Sequence, residues 1–244
     1  VRAGRRQALA AALLGLAAAG PGSAGTPSAE KLAGAVAEQN RKAGRARPLL
    51  LDVALREGDG APSATGTLAT HPTGLARLEL RGASGLERHL LQGNQYAASR
   101  EGELLAAPRP LLPPLFLLQA DTAVSLRTAL ASFGVAASET GLGLAFDRDC
   151  YVIGGRPTRG PGQVAASVPS LWVEVGSYEV VAVDRADGVR YRFGPSGSFE
   201  GVRLPSWVEI LSPGQTPLRL ELQRVARANA PAAAFGMGWL TERP

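Results

Sequence analysis

The chain has 244 residues, 45% hydrophobic and 19% charged, with a formal net charge of +5. Three arginines (Arg2, Arg5 and Arg6) fall in the first 24 residues, so the remainder carries 23 basic against 21 acidic side chains, or +2. With only Lys31 and Lys42 as lysines and no block of five or six like charges, the chain lacks the basic, aromatic-interleaved patch of a nucleic-acid binder.

Residues 1–24 read as an export signal. The arginines precede an apolar run, Ala8 to Ala19, which stops at Gly20-Pro21; Gly22-Ser23-Ala24 then offers small residues for cleavage near Ala24. The run of about twelve residues is short of the roughly twenty needed to span a bilayer. No cysteine follows Ala24 to take a lipid anchor. Arg5-Arg6 leaves both the general and the twin-arginine export routes open. The expected location is the periplasm, with residues 25–244 forming one domain large enough for a substantial core. Cys150 is the only cysteine, which excludes an internal disulfide. Its setting, Phe146 to Ile153, reads as a strand with a buried, inert thiol; a redox or intermolecular role is the alternative.

Ser28 is placed to cap a helix to about Ala43, with Glu30 in its first turn and Gly44 beyond its end. From Leu49 to Arg56 the sequence alternates, with Leu49, Leu51, Val53 and Leu55 on one face. Ser63–Thr70 and Gly74–Arg81 predict a hairpin, and Leu86–Leu91 with Gln95–Ser99 predict another across Gly93-Asn94. Pro108, Pro110, Pro113 and Pro114 then exclude a regular strand through Leu111–Leu118, while allowing a short helix after Pro114. A helix capped by Asp121 follows to Phe133, with Val124, Leu126, Leu130 and Phe133 as its apolar side and Gly134 as its stop. Seven further strands are expected: 142–146, 150–153, 171–175, 180–184, 189–193, 207–211 and 218–225. Their turn signals include Gly160-Pro-Gly162, Asp187-Gly188, Gly194-Pro-Ser-Gly197 and Pro213-Gly214. Eleven or twelve short strands, few helices and no βαβ rhythm predict an α+β fold: a curled, incomplete antiparallel barrel with helices on one side.

Catalytic patterns are missing. The chain has no Gly-x-Ser-x-Gly, His-Glu-x-x-His, phosphate-binding glycine loop or Cys-x-x-Cys. Ser28-Ala-Glu-Lys31 matches the Ser-x-x-Lys of penicillin-recognising enzymes, but no Lys-Thr-Gly strand follows it. Asp147 and Asp149 would share a strand face without further ligands for a cation. His71 and His89, the only histidines, read as incidental residues on surface strands. No catalytic residue, metal or cofactor is assigned, and an enzyme is not expected.

The order of elements, with several local echoes, resembles the LolA-like periplasmic carriers of lipoproteins and lipids across nearly all of residues 25–244. Gly66-Thr-Leu68-Ala-Thr-His71-Pro72, followed by Arg77, is similar to that family's first hairpin. Leu90-Leu-Gln-Gly93-Asn94-Gln-Tyr96 resembles the next. Pro169-Ser-Leu171-Trp172-Val-Glu174 and Gly201-Val-Arg-Leu204-Pro205 resemble later strands of outer-membrane lipoprotein-sorting proteins. The resemblance implies an open barrel whose helices form a lid over an apolar cavity for acyl chains. The family carries an arginine before the hairpin proline that helps to lock this lid; here His71 stands there, and the region of Tyr96 replaces a common tryptophan.

That expectation places Leu51, Val53, Leu68, Leu78, Leu80, Tyr96, Phe116, Phe146, Trp172, Phe193 and Leu220 around the cavity, with Leu115, Leu118 and His71 at the lid. Leu111–Leu118 is either part of that lid or a loop tucked permanently onto the core, and Trp239 could dock on the barrel rim or on a partner. A buried methylene contributes roughly 0.8 kcal/mol, so a sixteen-carbon chain left in water costs about 12 kcal/mol. An apolar hollow recovers that through non-directional contacts it can also surrender. The implied function is a monomeric, non-catalytic carrier, or chaperone, of an acylated lipoprotein or lipid, with an inner-membrane release complex and an outer-membrane acceptor as partners. The alternative is a sensor module of the same fold, acting through protein partners.

Overall fold

The computed structural model describes residues 26–155 and 168–242. The export signal and the Gly160-Pro-Gly162 turn lie outside the described residues. Helix α1 (Ala29–Lys42) begins where the Ser28 hydroxyl accepts a hydrogen bond from the Lys31 amide, satisfying one of the free N–H groups of the first turn. Leu32, Ala33 and Val36 form its buried side. A meander follows: β1 (Leu49–Glu57), β2 (Ala64–His71), β3 (Leu75–Gly82), β4 (Gly85–Gln92), β5 (Gln95–Arg100) and the two-residue β6 (Glu103–Leu104). The β4–β5 turn falls on Gly93-Asn94, where Gly93 takes a φ of +63°.

The proline-rich stretch that follows is irregular except for one 3-10 turn, Leu115–Leu118. Helix α2 (Ala123–Ser132) comes next and packs against α1. Its cap is Thr122 rather than Asp121: the Thr122 hydroxyl and the Ser125 side chain each bond the other's backbone amide, a reciprocal box that Asp121 is one residue too early to make. Leu126 and Leu130 are its buried positions, whereas Val124 faces solvent.

The second half contains β7 (Thr140–Ala145), β8 (Arg148–Gly154), β9 (Ser170–Glu174), β10 (Val180–Asp184) and β11 (Arg190–Phe193). It continues with β12 (Ser196–Phe199), β13 (Val202–Pro205), β14 (Trp207–Leu211) and β15 (Leu218–Arg227). Thirteen strands make one antiparallel sheet in the order β6-β5-β4-β3-β2-β1-β15-β14-β11-β10-β9-β8-β7. The long β1–β15 ladder joins the two halves, and β6 and β7 remain as separate edges, so the barrel is incomplete.

Three strands exceed the sequence expectation. β6 is too short to leave a pattern. β12 and β13 pair as a separate ribbon, in a stretch where Gly194-Pro-Ser-Gly197 reads as a turn; the reversal instead falls at Glu200 and Gly201. Phe146 and Asp147 are likewise not strand residues. Both have positive φ (52° and 60°) and form the tight β7–β8 turn, so Asp147 and Asp149 do not share a strand face. Cys150 is buried as expected, and burial pushes its thiol above the usual range.

Alternation along the strands sends one set of side chains to the concave side. There they join the buried positions of α1, α2 and Leu111–Leu118 in one continuous core. The outer face carries two smaller clusters. One packs Phe235 and Leu240, from the C-terminal 3-10 turns, on Ala69 and Leu90; the other surrounds Trp172.

Gly66 shows how tightly the sheet coils. A side chain added there would run into the carbonyl group of Glu79 on the neighbouring strand β3. Gly34 in α1 has open space instead. Gly66→Ala is therefore expected to lower the urea midpoint. Gly34→Ala is expected to raise stability by about 0.5–1 kcal/mol through helix propensity. Equal effects of the two changes would contradict this reading of the sheet.

Candidate functional site

The concave face is apolar and fully covered. Leu51, Val53, Leu68, Leu78, Leu80, Phe193 and Leu220 meet on it, and Leu115, Phe116 and Leu118 pack on them from above in the same cluster. Tyr96 lies at the margin of this cluster. Space expected to be hollow beneath the helices is thus taken by the chain's own side chains: Leu111, Leu112, Leu115, Phe116, Leu117 and Leu118 are all 2% exposed or less. Segment 109–120 acts as a plug.

Three of the sequence-assigned residues lie elsewhere. Trp172 alternates with Leu171 and Val173, which face the core, so its ring is on the outer side. There its indole N–H donates to Asp184 Oδ2 at 2.8 Å and Arg190 lies over its ring. Phe146, in its turn, packs beside the same outer cluster, under Arg192. His71 is on the opposite face of β2 from Thr70, held by Thr73 and edge-on to Phe235 rather than at the plug. Trp239 settles on the sheet's outer side, stacked under Arg77 and Arg88.

The plug follows from its sequence. Pro110, Pro113 and Pro114 remove three N–H donors that burial would otherwise leave to be satisfied. Its carbonyls are met by local turn amides, such as Leu115 on Pro113 and Leu117 on Pro114, and by side chains instead of a ladder. Tyr96 donates to the Arg109 carbonyl (2.6 Å) and accepts from the Leu111 amide (2.9 Å), and Tyr191 donates to the Pro110 carbonyl (3.1 Å). At the far end Asn40 of α1 donates to the carbonyls of Leu117 (3.1 Å) and Ala120 (2.8 Å). Gln119 accepts from Thr70 (2.7 Å) and donates to the Arg47 carbonyl (2.7 Å). The segment is fastened at both ends and held between them by apolar contact.

Behind Tyr96 stands a buried polar cluster that sequence reading missed. His89 is fully buried, not a surface residue, with Nδ1 2.7 Å from the Tyr96 hydroxyl and Nε2 2.8 Å from Glu87 Oε1. Glu87 also pairs with Arg100 (3.1 Å) and Arg109 (3.2 Å). In Gly85–Gln92 the concave positions 87, 89 and 91 are Glu, His and Leu, a mixed pattern that conceals which face is inward. Burial raises the Glu87 carboxyl, but the hydrogen bond and charge of His89, then Arg109 and Arg100, outweigh it and hold it at about 2. Burial pushes His89 below its usual 6.5, against the pull of Glu87.

The cluster opens on a cavity of about 430 Å³ at one end of the trough, a volume within the usual range for ligand pockets. Leu55, Ala64 and Leu80 form its apolar part, and Glu57, Glu87, Arg100 and Arg109 its polar part. Among the described residues, no group of three or more His, Cys, Asp or Glu gathers as metal ligands would.

No family model matches the chain, and no curated protein matches it in sequence. Solved structures do match. A LolA superfamily protein from Nitrosomonas europaea superimposes with a TM-score of 0.51 at 12% identity, over 88% of this chain and 100% of that one. A domain described as an outer membrane lipoprotein-sorting protein, from Vibrio parahaemolyticus, gives 0.51 at 8% identity over the same shares. A DUF1329 family protein from Desulfovibrio piger gives 0.51 at 12%, again over 88% and 100%. The chain therefore has the LolA-like fold: an open, curled antiparallel sheet crossed by helices.

Removing the Tyr96 hydroxyl takes one hydrogen bond each from the Arg109 carbonyl and the Leu111 amide, which keep their 2.8 Å bond to each other, and takes the Nδ1 partner of buried His89. Tyr96→Phe is expected to cost about 1–3 kcal/mol in urea unfolding. Faster amide exchange should be confined to residues 109–118, and uniform loss of protection across the sheet would contradict a local fastening. Both Glu87 and His89 have depressed values, so the unfolded chain takes up their protons first and stability falls with falling pH. The loss is expected to open below pH 6.5 with His89 and to continue from 4.5 towards 2 with Glu87. Thermal midpoints across that range should fall less steeply below 4.5 in Glu87→Gln, and an unchanged slope would remove Glu87 from the account.

Proposed function

We propose that the protein is a non-catalytic periplasmic carrier. It shelters acyl chains of a lipoprotein or lipid on the concave face for transfer towards the outer membrane. The observation that carries this reading is the plug. Six large apolar side chains cover an apolar trough and are fastened only at the ends of their segment. Burial of six such groups contributes about 9–18 kcal/mol, the same scale as the roughly 12 kcal/mol of a sixteen-carbon chain. Exchange of plug for acyl chain is therefore close to balanced, as reversible loading and release demand. Little directional bonding crosses the exchanged surface, so contacts can be traded a few at a time.

In this account the helices and the displaced plug lie over the bound chain as its lid. An inner-membrane complex that releases the cargo and an outer-membrane acceptor are the partners such a route requires. Export of residues 25–244 to the periplasm is part of the same proposal.

Amide exchange with and without a twelve-carbon acyl ligand tests it. Amides of 111–120 are expected to lose protection on ligand addition while β1, β2 and β15 keep theirs. Extracts of the protein purified from cells should yield acylated molecules by mass spectrometry. Clean extracts, together with unchanged exchange, would overturn the carrier reading.

A further inference from the structure

The cavity at the end of the trough is amphipathic in a directional way. Leu55 and Leu80 belong to the buried concave core, and Ala64 packs against it, so the apolar part of the cavity continues into the space the plug fills. Its opposite wall is charged, and the charges are not equally accessible. The Glu87 side chain is enclosed, at 6% exposure, behind His89 and two arginines. Arg100 and Arg109 are 44% and 35% exposed. Glu57 is 52% exposed and reaches Arg109 at 3.2 Å through one ion pair, a kind of contact that contributes little in water and is readily exchanged.

We propose that this mouth seats the anionic head, a carboxylate or phosphate group, of a single-chain amphiphile. The head takes the Arg109 and Arg100 guanidinium groups in place of Glu57, and the tail runs over Ala64, Leu55 and Leu80 into the trough. This rests on the carrier reading and specifies the cargo it would favour. Guanidinium suits the role because its planar fork donates two parallel hydrogen bonds to an oxyanion. Glu87 stays behind as the fixed counter-charge that orients both arginines. Arg109 has a second connection: its carbonyl accepts from Tyr96 at the root of the plug. A head that draws Arg109 outward thus acts on the fastening that must yield for the tail to enter.

The test compares binding of dodecanoate, methyl dodecanoate and dodecyltrimethylammonium, each below its micellar concentration, with inorganic phosphate alone as a fourth probe. Dodecanoate is expected to bind about tenfold or more tighter than its ester, the gain of one charge-assisted contact. Arg109→Gln and, separately, the more exposed Arg100→Gln should narrow that difference to about twofold or threefold. Glu57→Gln, at an exposed position, should tighten dodecanoate several-fold and leave the ester unchanged. Equal binding of acid and ester would overturn the head-group site while leaving the carrier reading intact, as would tighter binding of the ammonium. Phosphate binding as tightly as dodecanoate would replace the amphiphile with a free anion. Failure of all three twelve-carbon probes to bind would overturn both readings.

Discussion

A sheet of thirteen strands with one apolar face cannot leave that face in water. Most of its strands supply between one and four large apolar side chains to the concave side, β1 and β15 the most, and the edge strands do not meet to close a barrel. Cover must come from elsewhere. Helix α1, helix α2 and the plug supply it, and the rest of the molecule is arranged around keeping that cover in place. The prolines make the plug cheap to bury by removing donors, Tyr96, Tyr191 and Asn40 bond its backbone groups, and its own Gln119 ties it to the Arg47 carbonyl.

The same arrangement explains why a buried polar cluster sits within an otherwise apolar face. Tyr96 has to place its hydroxyl between a carbonyl and an amide of the plug, and it needs something behind it that also bonds. His89 fills that position and Glu87 backs His89. His89, and after it Arg109 and Arg100, then hold Glu87 ionised in a setting where burial alone would neutralise it. Fastening, cluster and cavity are therefore one unit at one end of the trough. Burial pushes the Tyr96 hydroxyl well above its usual range, so it stays a protonated donor at neutral pH.

The parts of this legible in the sequence were those with a strong period or a strong local signal. Leu49–Leu55 and Leu75–Arg81 alternate cleanly, Ser28 marks the start of α1, and Gly93-Asn94 marks a hairpin; each stands where expected. The prolines excluded a strand through Leu111–Leu118, and a 3-10 turn follows Pro114. What could not be read was which face is inward when both are buried or when polar residues point in. Leu171, Trp172 and Val173 are buried on both faces, so composition alone did not place the Trp172 ring on the outer side. His89 reads as a surface residue because its burial, like that of Glu87, depends on residues 96, 100 and 109, which reach them only once β4 and β5 pair and the plug is seated. The filling of the trough was beyond sequence as well, since leucines that line a hollow and leucines that plug it have the same hydropathy.

The most direct test is an NMR experiment with a carbon-13-labelled acyl chain and protein carrying labelled leucine methyls. Displacement of the plug requires cross-peaks from the chain to Leu51, Leu68, Leu78 and Leu220, and weaker contacts from Leu115 and Leu118 to those same methyls. Cross-peaks confined to the outer face, or bound chain with the plug contacts unaltered, would show that the concave face is a permanent core and not a place for cargo.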